Sequence, residues 1–534
     1  MVMLLGVLVA CGGSNEPADT TKAPTETTGG NGTQDPGTQA PGTNDPATPG
    51  TNDPATPGTN DPANPGTQDP GTQDPSTGGA TTLPPVPQYT PSVDPVDFGD
   101  ADGNARNYVT MVRNSRWAWF DGTKDSKDVV SLAAYKRNQK LNEMYNINMS
   151  ILEGGTDKAD WRTNLDAADG NIDLAIPDFW WELEYEGWFI NLMRRGEIND
   201  AESHWIQGWN NNIIINNRLY TITGDAALEL MENWEVIFYN RDMAKDLGYY
   251  EALIDMVEND EWTVKEMMAI MDDFELALMD NDESNDIWGA VYDSHSIAQA
   301  LYAAGLTLLE TNRFTHIIND ISNTPKNVNL TADVTALRHH GATKYFTGTA
   351  RTELSEKNGL FFENKSFFFA SHLLNGKAIK AGAPFDYGVM IMPKYDVADD
   401  YVTGSYGVSF FAIPHSASDH HVSTVVLNTM NWLSNTEDER GMGEDRLVYT
   451  YFETVVKGEV ANLPEDLAML DRIKNSARYD FGFVVSGTVG LQGGFTKAVA
   501  NNESITVTIG EVAKKAEDGI LEMMTYYGDP NTAE

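Results

Sequence analysis

Residues 12–95 have almost nothing to bury, and that confines any folded core to the rest of the chain. The unit Gly-Thr-Asn-Asp-Pro-Ala-Thr-Pro starts at Gly42 and at Gly50 and recurs at Gly58 with one change. Shorter Gly-Thr-Gln-Asp-Pro units start at Gly32, Gly66 and Gly71. Ordering such a segment costs backbone entropy that no apolar burial offsets, and its prolines favour extended, polyproline-like conformations. The period is too short and the units too polar for a stacked solenoid. The segment reads as a tether, taken here as residues 12–105.

The residues before it say what the tether is tied to. Met1 to Ala10 is an apolar run ending at Cys11. Spanning a bilayer takes about 20 apolar residues, so this run is too short, but it suits the hydrophobic region of a secretory signal. The basic region that normally precedes it is missing. Leu8-Val9-Ala10-Cys11 resembles a bacterial lipobox, in which the signal is cut before a cysteine that is then acylated. Cys11 is the only cysteine in the chain, which rules out a disulfide framework and leaves lipidation as its evident use. The expectation is a protein held by lipid on the outer face of the cell membrane. A tether this long points to a thick, Gram-positive envelope.

About 430 residues of globular composition follow, enough for two domains of ordinary size. Residues 12–95 carry ten carboxylates and one lysine, so 34 of the 43 net negative charges lie on the body. A field of that sign repels phosphate backbones and anionic lipid, which makes nucleic acid a poor partner and is indifferent to neutral sugars. Its main reading is surface charge that keeps the protein in solution.

Strand-like and helix-like segments alternate through the body, as in an α/β fold. Tyr108–Val112 and Asn148–Leu152 read as strands around a helix over Val129–Tyr145. Ile172–Ile176 is a short apolar run suited to a buried parallel strand. Val389–Met392 and Ser409–Ile413 are further strands, each closed by a proline. Thr263 and Glu266 form a capping box before a helix that lines up Val264, Met267, Met268, Met271, Phe274 and Leu278. Val422, Val425, Val426, Thr429, Met430 and Leu433 make a second apolar stripe, and Ile509, Val512, Ala516, Ile520 and Met523 a third. The methionines in these stripes are read as core.

Several stretches in order give the body a family resemblance. They are Gly170-Asn171-Ile172-Asp173-Leu174-Ala175, Asn216 to Ile222, and Trp234-Glu235-Val236-Ile237-Phe238-Tyr239-Asn240-Arg241-Asp242. Glu261-Trp262-Thr263-Val264-Lys265-Glu266, Ile287-Trp288-Gly289, and Tyr451-Phe452-Glu453 through Arg478-Tyr479-Asp480-Phe481-Gly482 continue the series. From about Tyr108 onward the chain resembles the extracellular solute-binding proteins, family 1 type, of carbohydrate ABC transporters. Arg241 stands where that family usually has lysine. The resemblance implies the type II periplasmic-binding-protein fold, two α/β lobes joined by crossing hinge strands, with one crossing near Trp234–Asn240. Lobe 1 is then expected over 106–233 plus 345–415, and lobe 2 over 240–340 plus 416–534. It also implies a monomer that closes around an oligosaccharide and hands it to permease subunits, with neither catalysis nor a cofactor.

Sugars ask for aromatic planes against their C–H faces and planar polar groups for their hydroxyls. In open α/β sheets ligands lie beyond the carboxyl ends of the strands. Trp117, Trp119 and Phe120 follow the first strand; Asp178, Trp180 and Trp181 follow the third. Tyr292 and Asp293 follow another, Tyr406 precedes Ser409–Ile413, and Glu232 and Trp234 stand beside the expected hinge. These are the candidate ligand-binding residues. Any one of these aromatics could equally be core, whereas the Trp117–Phe120 and Trp180/Trp181 clusters favour ligand contact because crowded aromatics on one strand-end loop pack poorly together. Trp262, at a helix start, is assigned to packing.

Other chemistry finds less support. A glycoside hydrolase would need a paired carboxylate site, and Asp178, Glu182, Glu184 and Glu186 supply candidates, but 79 acidic residues make such pairs inevitable. Neither a Gly-x-Ser-x-Gly elbow nor a phosphate loop is present. His339-His340 and His420-His421 are adjacent pairs whose side chains diverge on a helix, so no metal site is expected from them. Asp280–Asp286 and Asp100–Asn104 start like calcium loops and do not complete the pattern. A peptide receptor of the same fold and a glycan adhesin remain the nearest alternatives.

Overall fold

The computed structural model describes residues 92–113, 119–155, 157–167, 170–177, 187–275, 286–347, 351–405 and 409–528, with only the backbone of 351–355. Two α/β lobes form the folded body, each on its own sheet. The first sheet is parallel, in the order β2-β1-β3, built from β1 (Arg106–Val112), β2 (Ile147–Glu153) and β3 (Leu174–Ile176). Helix α1 (Val129–Tyr145) connects β1 to β2. Its limits match the sequence reading because both ends are capped. Asp128 accepts from the Ser131 amide at the start, and Asn146, at φ 47°, ends it in the left-handed region that Asn tolerates.

The second sheet is mixed, in the order β10-β4-β9-β5-β8. Its strands are β4 (Glu235–Asn240), β5 (Trp288–Asp293), β8 (Thr343–Phe346), β9 (Ser366–His372) and β10 (Tyr387–Met390). Between β5 and β8 the chain makes a two-stranded ribbon of β6 (Leu309–Thr311) and β7 (Ile318–Asp320). β5 is parallel to β8 and β9, whereas β4 is antiparallel to both β9 and β10. Helices α2 (Val264–Glu275), α3 (Ser294–Ala303) and α4 (Arg351–Phe362) belong to this lobe. Phe367, Phe368 and Phe369 of β9 are buried, and covering one such ring stabilises by roughly 1.5–3 kcal/mol. In α2 the buried set is Val264, Met267, Ile270, Met271 and Phe274, and only one arm of the expected capping box is drawn, Thr263 Oγ1 accepting from the Glu266 amide.

The lobe boundaries differ from those expected. β8, β9 and β10 pair with β4 and β5, so most of 345–415 belongs to the second lobe. Only 409–414 returns to the first sheet, where Ala412 bridges Ala175 and Phe411 bridges Ile222. Helix α5 (His420–Asn435) also packs on α1, in the first lobe, with all six residues of its predicted stripe buried. Periodicity says that a strand or a stripe is buried; it carries no information about which sheet receives it. The last helices, α6 (Pro464–Asn475) and α7 (Ile505–Gly528), pack in the second lobe and in the helical layer beside it.

The lobes join where the chain crosses between them. Trp234 bridges Ser405, the Glu235 amide donates to the Gly404 carbonyl at 3.2 Å, and the Leu373 amide donates to the Trp234 carbonyl at 2.8 Å. A crossing at Trp234–Asn240 is thus where the sequence places it. A seven-residue π-helical turn, Thr450–Val456, packs on α1 and leads to Lys457–Val460, which packs on Gly376–Gly382 of the second lobe. This makes a further passage. No helix among the described residues is long and apolar enough to cross a membrane.

Candidate ligand-binding site

The parallel strands β5 and β9 end at Asp293 and His372, and antiparallel β4 begins at Glu235, so all three residues share one end of the second sheet. That is the end at which an open α/β sheet presents a ligand. His295, in the first turn of α3, and Lys357, from α4, reach the same place. A cluster of five ionisable groups therefore sits beside the crossing at Trp234.

Asp293 is held by its helix. Its carboxylate accepts from the Ser296 amide at 2.7 Å while Ser296 Oγ accepts from the Asp293 amide at 2.9 Å, a complete capping box. Its second oxygen takes the Lys357 ammonium at 2.7 Å, and both side chains are nearly inaccessible. Burial pushes this carboxyl up, but Lys357 and the Ser296 amide outweigh it and hold it at about 2.

Glu235 lies directly opposite His372 in the β4–β9 ladder. Its Oε2 is 3.1 Å from His372 Nδ1 and 3.9 Å from His295 Nε2, and the two imidazole centroids are 4.7 Å apart. Glu235 is 1% exposed, whereas the two imidazoles are a quarter to a third exposed. Burial raises the Glu235 pKa, but His372, with help from His295 and Lys357, brings it below its usual range. Burial lowers His372, and Glu235 more than restores it. His295 is pushed down to about 4 by burial and by His372. The ordinary state is an ionised Glu235 facing one imidazole that gains protons readily and one that stays neutral.

The candidates from sequence fall into three groups. Asp293 stands in this region; Trp234 borders it but is itself core, 2% exposed with its ring edge-on to Phe452 at 6.3 Å. Glu232, partly exposed, bonds Tyr451 from the π-helical turn. Trp119, Phe120 and Tyr292 point into the interior instead. Phe120 is 1% exposed and packs edge-on to Phe411, with the Arg137 guanidinium over its ring. Trp119 joins the same core, its carbonyl accepting from Arg137 Nη2. These two aromatics do fit one core, because α1 supplies an arginine and Asn138 to bind the carbonyls of both. The Tyr292 hydroxyl is sealed near Met267 Sδ at 3.5 Å, and burial pushes it far above its usual range. Trp117, Asp178, Trp180, Trp181, Tyr406 and Cys11 lie outside the described residues.

Sequence reasoning missed Glu235, His295, Lys357 and His372. The available signal was a polar residue at the end of a long apolar run, as Glu235 opens Val236–Tyr239 and His372 closes Phe367–Ala370. A second hollow, of about 930 Å³, opens at the other end of α3, between Gln207, Asn211, Asn212, Tyr302 and Arg478. Two ion pairs lie on its rim, Lys326 with Asp399 at 2.6 Å and Arg478 with Asp400 at 3.2 Å. The short acidic loop at Asp100 spends its carboxylate on its own turn, accepting from the Asp102 and Asn104 amides.

No protein-family model matches the chain, and no curated protein matches it in sequence. Solved structures match in fold, a two-lobed α/β architecture. A cyclic alpha-maltosyl-1,6-maltose binding protein from Arthrobacter globiformis aligns at a TM-score of 0.52 and 14% identity, over 78% of this chain and 99% of its own. A sugar transporter protein from Rhizobium etli, in an open conformation, gives 0.50 at 14% identity, over 79% and 99%. The galacto-N-biose/lacto-N-biose I-binding protein of an ABC transporter from Bifidobacterium longum, in complex with lacto-N-biose, gives 0.50 at 13% identity, over 79% and 98%. At such identities the shared property is the fold.

Proposed function

We propose that this protein is a lipid-anchored receptor on the outer face of the membrane, which captures an oligosaccharide between its lobes and delivers it to an ABC transporter permease. The observation that carries the reading is the polar cluster of Glu235, Asp293, His295, Lys357 and His372. It stands where β5 and β9 end, beside the crossing, in a fold shared with solved sugar-binding proteins. Partly exposed imidazoles over buried, fixed charges suit hydroxyl recognition, since each can donate or accept while its position is held from below. Trp117, Asp178, Trp180, Trp181 and Tyr406 belong to the same reading as stacking and polar contacts. Cys11 supplies the anchor and residues 12–105 the reach.

The test is a thermal melt and Trp fluorescence titration of the purified chain against neutral oligosaccharides and short peptides. Binding to the folded state raises the melting temperature by mass action. A saturable rise with one glycan class, the glycan recovered intact, supports the receptor. A shortened glycan converts the protein to a hydrolase, and a response to peptides alone removes the carbohydrate assignment.

A further inference from the structure

We propose that Glu235, His295 and His372 form a binding site for a divalent transition-metal ion of the zinc type, with Glu235 Oε2, His295 Nε2 and His372 Nδ1 as ligands. The three ligand atoms come from β4, α3 and β9 and lie within 4.8 Å of one another. Metal–ligand bonds of 2.0–2.1 Å at tetrahedral angles set neighbouring ligand atoms about 3.4 Å apart. The two carboxylate–imidazole separations here are 3.1 and 3.9 Å, on either side of that value.

Charge favours the same reading. Asp293 and Lys357 neutralise one another at 2.7 Å, so the ligand set with neutral imidazoles carries the single negative charge of Glu235. Its Oε1 accepts no hydrogen bond among the described residues although the side chain is 1% exposed. A hydrogen bond from protonated His372 to Glu235 accounts for one imidazole. Neutral His295 sets its Nε2 3.9 Å from the same oxygen, longer than a hydrogen bond. A metal ion draws all three together. Two imidazole nitrogens select zinc, copper, nickel or cobalt over calcium or magnesium, which take oxygen ligands. Three protein ligands leave a coordination position open, on the side where the imidazoles are exposed, for water or an oxygen of a bound molecule.

The experiment uses the full chain, stripped of metal and free of sugar, so its outcome is independent of the oligosaccharide reading. Zn2+ is titrated in competition with a chromophoric chelator, and Co2+ is followed by visible absorption. The expected result is one ion per chain with a dissociation constant on the order of a micromolar or tighter, and Co2+ bands of a nitrogen–oxygen site with few ligands. His295→Ala and His372→Ala should each weaken binding by at least about tenfold. His340→Ala, at the exposed Asp272–Glu275–His340 group, should leave the tight site unchanged. Absence of tight binding, binding retained in a folded His295→Ala/His372→Ala variant, or loss on His340→Ala would each overturn the proposal. If the double variant fails to fold, the wild-type Co2+ spectrum decides alone: bands of six oxygen ligands reject the site.

Discussion

Arg241 Nη2 donates to Asp466 Oδ1 at 2.6 Å, with both side chains almost wholly inside the protein. The other arm of the guanidinium reaches Asp386 at 2.8 Å. Asp466 in turn accepts from the amides of Asn462 and Leu463, so this pair ties the end of β4 to the start of α6. A lysine at 241 could meet one carboxylate but not both in this fork, which gives the arginine here a physical reason. Asp466→Asn leaves the guanidinium without its buried counter-charge and is expected to cost about 3 kcal/mol in urea denaturation. Arg241→Lys should cost less than that but be clearly measurable in the same assay.

Acid should weaken the fold through His204. Burial pushes this imidazole down to about 4, against the hydrogen bond to Asn428 Oδ1 that favours it. Its folded value lies below the unfolded value of 6.5, so the unfolded chain binds more protons between those limits and stability is lost as pH falls through the window. At pH 4.5 the loss relative to pH 7.5 is about 2.5 kcal/mol from this group. Denaturant titrations at both pH values should show a pH difference smaller by that amount in His204→Gln than in the wild type.

Trp262 is fully buried, and its indole Nε1 donates to the Ile391 carbonyl at 3.0 Å. Trp262→Phe removes ring volume and leaves that carbonyl without its partner. We expect a loss of about 2 kcal/mol, read as a lower melting temperature, with no change in glycan affinity beyond what reduced stability explains. A selective loss of glycan affinity would instead place Trp262 in the binding site.

Glycan capture should depend on the sheet-end imidazoles. His372→Gln keeps a polar partner for the buried Glu235 carboxylate, so the fold should stand while affinity falls about ten- to a hundredfold, the worth of one hydrogen bond to a charged group. Fluorescence titration with the glycan found in the screen measures it. An unchanged affinity would move the site away from this cluster, and Asn212→Ala in the hollow by α3 would be the next variant to titrate.

Much of the architecture was written locally. The limits of α1 follow from Asp128 and Asn146, and the strand from Glu235 to Asn240 follows from its unbroken apolar run. Which sheet a strand joins was not legible. β9 pairs with β4 and β5 through ladder bonds between segments far apart in sequence, and the apolar run Phe367–Ala370 is the same whichever neighbours take it. The site was half legible for the same reason. Trp234 and Asp293 stand at predicted strand ends, whereas Glu235, His295, Lys357 and His372 come from separate elements with no shared spacing. Crowding misled the reading of Trp119 and Phe120, because α1 offers them a polar-lined slot that no local pattern announces.

The π-helical turn at Thr450–Val456, which sets Phe452 against Trp234 and Tyr451 against Glu232, differs from an α-turn by a surplus residue rather than by residue type. Deleting Thr454, an exposed member of the seven, would let the segment rewind to α while the helix downstream keeps nearly its phase, because the wide turn absorbs one extra residue. The residues within the turn would shift, displacing Phe452 from Trp234 and Tyr451 from Glu232 although neither aromatic is mutated. The placement of Phe452 and Tyr451 is thus encoded as chain length, and relatives that lack it would be recognised by a one-residue gap.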